Sequence, residues 1–412
     1  MRKPLALAAT AALTCTCMFL PGVGPASAAT PATVAPGSVV PGSVVPDQDP
    51  FYSAPSDIAQ YAPGQIVASR AVPGVNLFGI PVPVDAWQIS YRTNDSHDQP
   101  ELAVTTLVVP KAGWTGSGPR PVVSLQTPED SLGTQCAPSY QIASGSDVQD
   151  AALGAQLLAA NWAVALPDFE GPKSVFLAGP QAGHAVLDGI RAVKNFGRAG
   201  IGTANQWALD GYSGGAEATG WAAQLQPSYA PEVTLAGAAI GGTPSDPAAV
   251  GRYIDGTVFA GFEFAASVGI STEFPEAGIP ALLNSRGKQD FAAAAGTCEV
   301  SLLATFPFRK LNSDTTVSDP LSAPSVAAVL RENTLGAAAP TTPVYDYHAD
   351  TDEIVPVGQD NTLTSAWCAG GATVQKVRDL LGEHAEEVAA RAVSVEVFLA
   401  ARFAGRSPSS SC

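Results

Sequence analysis

The chain has 412 residues, 46% of them hydrophobic and 14% charged, which is enough apolar content to bury a large core and excludes a disordered chain. Lys and Arg number 21 against 37 Asp and Glu, a net charge of -16 at pH 7; nucleic-acid and anionic-membrane binding need a concentrated positive surface, so both are disfavoured. Gly and Pro together make up about 18% of the chain, above the ~12% of average usage, which points to many turns and loops.

The N-terminus reads as an export signal over residues 1–28. Arg2 and Lys3 precede an apolar run from Leu5 to Leu20, and Ala26-Ser27-Ala28 supplies a cleavage site, so the mature chain is expected to begin at Ala29. Losing two basic and no acidic residues moves the net charge to about -18. The apolar run is too short for a comfortable membrane span and no later stretch reaches ~18 uninterrupted apolar residues. A secreted, extracellular protein without a stable membrane anchor is expected, and contact with a lipid interface is compatible with that. Cys136, Cys298, Cys368 and Cys412 remain after cleavage, and an even number in an exported chain suggests two disulfides. Three pairings exist and spacing alone does not choose between them; Cys136 with Cys298 and Cys368 with Cys412 is the expectation adopted, the second as a staple for the C-terminus. No Cys-x-x-Cys or Cys/His cluster suggests zinc.

Residues 29–48 carry a duplicated Pro-Gly-Ser-Val-Val unit and read as a linker, with folding starting near Asp49. Apolar runs bounded by turn residues at Gln65 to Ala71, Trp87 to Tyr91, Leu102 to Val109 and Pro121 to Leu125 read as strands. From Val148 the pattern alternates: a helix to Ala160, a strand from Trp162 to Leu166, a helix around Ala185 to Asn195, a strand from Gln206 to Asp210 and a helix after Gly214. Such alternation predicts an α/β fold, a mostly parallel sheet with helices on both faces. Residues 244–324 break the rhythm and read as an inserted, mainly helical cap. Alternation resumes with Thr342 to Tyr347, Leu363 to Cys368, Ala372 to Val377 and a last helix from about Glu386 to Phe403. The core is therefore divided in sequence, 49–243 and 325–412.

Gly211-Tyr212-Ser213-Gly214-Gly215 is the only G-x-S-x-G of the chain and falls between a strand and an Ala-rich helix, where a nucleophile elbow belongs. Small residues two before and two after Ser213 allow strand and helix to close on the turn, and the helix N-terminus points unpaired N–H groups at developing negative charge. A serine hydroxyl needs a base, and the chain has four His. His97 lies in a polar turn and His184 before a helix upstream of Ser213, so neither suits the Ser, Asp, His order of α/β-hydrolases. His348 ends a strand ahead of the best acid and reads as structural, which leaves His384 as the base. Of the acids after the strand, Asp352 is favoured over Asp350, with Asp346 inside the strand. One oxyanion donor is the N–H of Gly214; the second lies in the loop after Leu125, and the residues alone do not say which group supplies it. Phe259, Phe262 and Phe264 of the cap are candidates for an acyl tunnel, although core packing is the commoner fate of such aromatics.

Several separate motifs then carry a resemblance. They are Asp49-Pro50-Phe51-Tyr52, Glu129-Asp130-Ser131 with Cys136-Ala137-Pro138-Ser139-Tyr140, Pro167-Asp168-Phe169-Glu170-Gly171-Pro172, Leu187-Asp188 with Arg191-Ala192, the elbow, and Asp352-Glu353-Ile354-Val355-Pro356 followed by His384. In this order they resemble the secretory lipases of fungi and actinobacteria over essentially the whole mature domain. The resemblance implies an α/β-hydrolase core with a helical lid and a Ser213, Asp352, His384 triad. It also implies an oxyanion hole from Asp130 and Gly214, and hydrolysis of carboxylic esters, often triacylglycerols, with no metal or organic cofactor. A monomer acting on an acyl-ester or lipid substrate is expected. A short-chain esterase, a serine peptidase and a non-catalytic binding protein on a hydrolase scaffold are the competing readings.

Overall fold

The computed structural model describes residues 39–77, 79–146 and 149–412; the expected export signal and the first ten residues of the expected linker lie outside them. Among the described residues, nine strands form one sheet: β1 (Ile66–Val72), β4 (Val84–Asn94), β5 (Pro100–Pro110), β6 (Val122–Gln126), β7 (Ala163–Pro167), β8 (Trp207–Tyr212), β9 (Leu235–Gly241), β10 (Val344–Ala349) and β11 (Val374–Asp379), with a two-residue hairpin of β2 (Asn76–Leu77) and β3 (Ile80–Pro81) beside it. The order is β1-β4-β5-β7-β6-β8-β9-β10-β11. β1, β4, β5 and β7 pair antiparallel, and every pairing from β7 through β6 to β11 is parallel. The carboxyl ends of the parallel strands therefore lie along one edge, where an open α/β sheet carries its site.

Helices α1 (Pro138–Ser144), α2 (Gln149–Ala159), α3 (Gly179–Phe196) and α4 (Gly214–Tyr229) interleave with the first strands; α5 (Pro247–Ile254), α6 (Ala260–Glu273), α7 (Ile279–Leu282), α8 (Ser285–Ala294), α9 (Glu299–Thr305), α10 (Leu311–Asp314) and α11 (Pro324–Glu332) form one run; α12 (Val357–Ala369) and α13 (His384–Phe403) flank β11. Alternate strand residues feed two cores, as the pleat requires. Val122 and Leu209 pack under α3 and α4 with Val186, Ile190 and Ala222, whereas Val123 and Ala208 pack on the other face with Leu157 of α2 and Val395, Phe398 and Leu399 of α13.

Two elements depart from the sequence expectation. No strand is expected over Leu235–Gly241, because Leu-Ala-Gly-Ala-Ala-Ile-Gly holds one β-branched residue, Ile240, and no aromatic one. Its smallness comes from packing: a Cβ on Gly237 would meet Arg402 and Phe398 of α13 at 2.7 and 3.0 Å, and one on Gly241 would run into the Tyr347 ring. The second departure is at the end of the expected linker. Pro46–Gln48 form a turn of 3-10 helix, Arg70 donates to the carbonyl of Val39 at 3.4 Å, and Thr134 donates to Asp47 at 2.6 Å, so residues 39–48 are laid against the domain. The run of short helices after β9 continues through α11, whose Val326, Val329 and Leu330 share a core with Ile270, Phe274 and Ile279.

Cys136–Cys298 and Cys368–Cys412 are the disulfides of the structure. The first ties the loop after β6 to the start of α9, alongside backbone bonds from Leu132 to Thr297 (2.9 Å) and from Gly296 to Leu132 (3.0 Å). The second fixes the C-terminus to α12, where the chain end also pairs with β11 through Ser411 and Val374 (2.7 Å).

Candidate active site

Ser213 sits between the last residue of β8 and the first of α4 with φ 56 and ψ -127, a conformation that costs a non-glycine residue about 1–3 kcal/mol. The surroundings enforce it. Ser213 N–H donates to Gly241 O at 2.9 Å while its carbonyl accepts from Ala216 and Glu217 at 2.9 and 3.1 Å. A side chain on Gly211 would strike Gly215 and Thr219, and one on Gly215 would strike the Gln126 carbonyl. The glycines two before and two after the serine are thus demanded by contact.

His384 is the first residue of α13. Its Nε2 lies 2.8 Å from Ser213 Oγ and its Nδ1 2.7 Å from Asp352 Oδ2, so the network assigns the hydroxyl as donor to Nε2 and the Nδ1–H as donor to the carboxylate. The ring is fixed from three further sides. The backbone N–H of His384 donates to Glu353 Oε2 at 2.9 Å, the Tyr212 hydroxyl donates to the His384 carbonyl, and Gly242, at φ 56, leaves room for Cε1. Asp352 lies in the loop after β10, buried, with Oδ1 accepting from Ile354 and Val355 N–H at 2.9 and 2.7 Å. Burial alone would raise its pKa, but hydrogen bonds from His348 and His384 hold it well below the ordinary carboxylate value. Asp350 is exposed, and Asp346 is buried within β10 on Arg378 at 2.7 Å.

Asp130 is buried in the loop after β6 with φ 43, its carboxyl lying where a side chain on Gly214 would stand. Burial first, and then the charge of Glu299, push its pKa well above the usual range; a carboxyl kept neutral in this way is a hydrogen-bond donor. Glu217, pushed up to about 8 by burial and by Asp130, belongs to the same dry cluster. Ser131 holds the loop, donating to Glu129 O at 2.5 Å and accepting from Glu299 N–H at 3.0 Å. The resemblance alone singled out Asp130; its positive φ and burial are visible only in three dimensions.

Two cavities meet at Ser213. One is narrow and mostly apolar, lined by Phe176, Val250, Ile254, Phe262 and Leu330 together with Asp130, Ser213 and Gly214. The other is the roomier of the two and lies between α2 and α13, lined by Leu157, Val388 and Val395 together with Ser213 and His384. The three candidate cap aromatics part company. Phe262 lines both cavities and Phe259 the second, whereas Phe264 is wholly buried and stacks on Phe306 at 4.6 Å.

The remaining sequence candidates lie elsewhere. Asp168 accepts from Ser139 N–H at 2.9 Å and from its hydroxyl at 2.5 Å, capping α1. His97 is exposed and bonded to Glu276 at 3.0 Å. His184 is inside α3, not ahead of it, stacked on Tyr229. His348 was expected to be structural; it is buried with its Nε2 3.2 Å from Asp352 Oδ2. Order along the chain gave no sign of this, although the spacing of four residues between His348 and Asp352 was there to read.

The sequence model of the family described as Secretory lipase matches residues 141–411. The chain belongs to the secretory lipase family. A secreted triacylglycerol lipase of Malassezia furfur is 34% identical to this secretory lipase over 402 residues, covering 93% of this chain and 85% of the relative. A Mycobacterium tuberculosis protein described as a probable inactive lipase is 34% identical over 370 residues, with 87% and 82% covered. The X-ray structure of Candida antarctica lipase A in its closed state matches with a TM-score of 0.83 at 32% identity, over 90% of this chain and 89% of that one. Fold and family together make this secretory lipase an exported, ester-hydrolysing serine hydrolase of the α/β-hydrolase fold. Among the described residues no helix is long and apolar enough to cross a membrane.

Proposed function

We propose that this enzyme is a lipase cleaving long-chain acyl esters, triacylglycerols above all, with Ser213 as nucleophile, His384 as base and Asp352 as the carboxylate that orients it. The observation that carries the reading is a serine hydroxyl 2.8 Å from an imidazole nitrogen in the lining of a narrow apolar cavity. His384 takes the Ser213 proton as Oγ attacks the ester carbonyl, and the imidazolium is compensated by Asp352. Charge developing on the carbonyl oxygen is met by the Gly214 N–H at the start of α4 and by Asp130. His384 then passes the proton to the departing alcohol. Water, deprotonated by the same ring, attacks the acyl-enzyme; the bond from the acyl carbon to Ser213 Oγ breaks, His384 returns the proton to Oγ, and the fatty acid leaves. All of these steps use groups of the protein, acting as a monomer on a lipid surface or on dispersed ester.

The apolar walls favour burial of an alkyl chain at roughly 0.8 kcal/mol per methylene, so rates should rise with chain length until the cavity is filled. The test is hydrolysis of p-nitrophenyl esters from acetate to palmitate and of emulsified triolein, by the native enzyme and by Ser213→Ala. Turnover of palmitate and triolein that vanishes in the variant supports the reading. Turnover restricted to acetate and butyrate would make the enzyme a short-chain esterase, and none at all would leave a binding protein.

A further inference from the structure

We propose that His348, a second imidazole on the far side of the triad carboxylate, is a positioning residue of the reaction: as a standing cation it keeps Asp352 ionised and, by opposing another positive ring across the same carboxylate, keeps His384 working as a base at mildly acidic pH. The inference rests on the triad reading given above.

The ring's charge follows from what surrounds it. Nε2 is 2.8 Å from Val355 O, which can only accept, so Nε2 carries a hydrogen. Nδ1 lies 3.6 Å from Asp360 Oδ2. That carboxylate is itself bound by Arg378 Nη2 at 2.5 Å. A neutral ring would aim the Nδ1 lone pair at an anion in a site without exposed surface, an arrangement that a proton on Nδ1 relieves. Asp346 is also bonded to Arg378, at 2.7 Å; burial and the neighbouring Asp360 push its pKa up while Arg378 opposes them. In agreement, burial alone would depress His348, but hydrogen bonds to Asp352 and Asp360 overcome it and carry its pKa up to about 10.

The charged and titratable groups facing the ring can be named element by element. They are Asp346 on its own strand, Asp352 in the following loop, Asp360 on α12 with Arg378 of β11 behind it, and His384 of α13 across Asp352; Glu353 and Glu387 lie on the Tyr212 and His384 side of that carboxylate. Tyr212 lies beyond Asp352, and β9 contributes only apolar side chains. Asp352 Oδ2 is thus shared between two imidazoles, at 2.7 Å from His384 and 3.2 Å from His348. A proton taken up by His384 from solvent, which abolishes its function as a base, must be accommodated beside a cation already drawing on the same oxygen.

The experiment is kcat/KM for p-nitrophenyl butyrate against pH, for the native chain and for His348→Asn, together with side-chain nitrogen NMR of the native chain. His348→Asn keeps a donor for Val355 O but carries no charge. Its acid limb should move up by about one pH unit, and the native His348 ring should keep both N–H signals from about pH 5 to 9. A variant slower by one constant factor at every pH, with the limb unmoved, overturns the proposal; so does a native ring with a single N–H. Should the variant fail to fold, the ring signals of the native chain decide alone. Activity remaining in Ser213→Ala would defeat the triad reading, whereas an inactive Ser213→Ala beside an unmoved limb defeats this inference only.

Discussion

The carboxyl edge of the sheet and the helical run above it are built on different physics. At the sheet edge the chain is strained and its charges are paired: Ser213 and Asp130 are held at positive φ, and Asp352, His384, His348, Asp360 and Arg378 form one chain of polar contacts. The helices α5 to α11 instead carry short apolar cores, with Phe264 against Phe306 in one and Ile270, Phe274 and Val329 in another. The first region fixes where a few atoms sit; the second fixes the shape of a space. Strain and charge tolerate no substitution at the reacting atoms, while apolar packing tolerates change at a cost in stability or in substrate size.

That contrast can be broken by experiment. The largest effect is expected at the sheet edge: Asp352→Asn should cut kcat by about 10⁴ in the folded enzyme and also lower the unfolding temperature, because His348 and His384 lose the carboxylate they share, whereas Asp350→Asn should leave ester hydrolysis unchanged. Comparable losses in both would return the two acids to equal standing. In the helical run the order reverses. Phe264→Ala should cost about 3–5 kcal/mol of stability by denaturant titration, with the surviving folded fraction still turning over butyrate. Next, Asp130→Ala should lower kcat by about 10²–10³ and change KM little; an unchanged kcat would remove Asp130 from the oxyanion site. Phe262→Trp, which narrows the apolar cavity, should lower palmitate turnover relative to butyrate by roughly tenfold.

The smallest effect concerns pH. Glu217 and Glu101, both pushed up from 4.5 to about 8 chiefly by burial, bind protons more tightly folded than unfolded. Their contribution to stability is full below about pH 4.5 and is lost as pH rises towards 8. Asp352, depressed in the folded state, acts in the opposite sense and withdraws stability as pH falls below its ordinary 3.8. The melting temperature measured by calorimetry should therefore decline by a few degrees from pH 5 to 9 and drop again in stronger acid; a rise across pH 5 to 9 would show the buried glutamates to be ionised.

What the sequence disclosed follows the same division. The elbow was legible because Gly211 and Gly215 are compulsory at fixed offsets from Ser213, and His384 followed from chain order. β9 was hidden because α13 and Tyr347 press on it and leave room only for small residues. His348 was hidden because its partners come from a loop, from α12 and through Arg378 from β11, a meeting that only the closed sheet arranges. Phe259, Phe262 and Phe264 are alike as letters; helical phase sends one into a core and two to a cavity wall.

The bond between Cys136 and Cys298 has a mechanical consequence. The helical run already returns to the sheet at both of its ends, β9 and β10, and the disulfide pins its middle to the loop that carries Asp130. A plate fixed at three points has no axis left about which to swing. Clearance for a bulky ester is then expected from bending between the pins, at α5 and α6, with the span fastened beside Asp130 moving least.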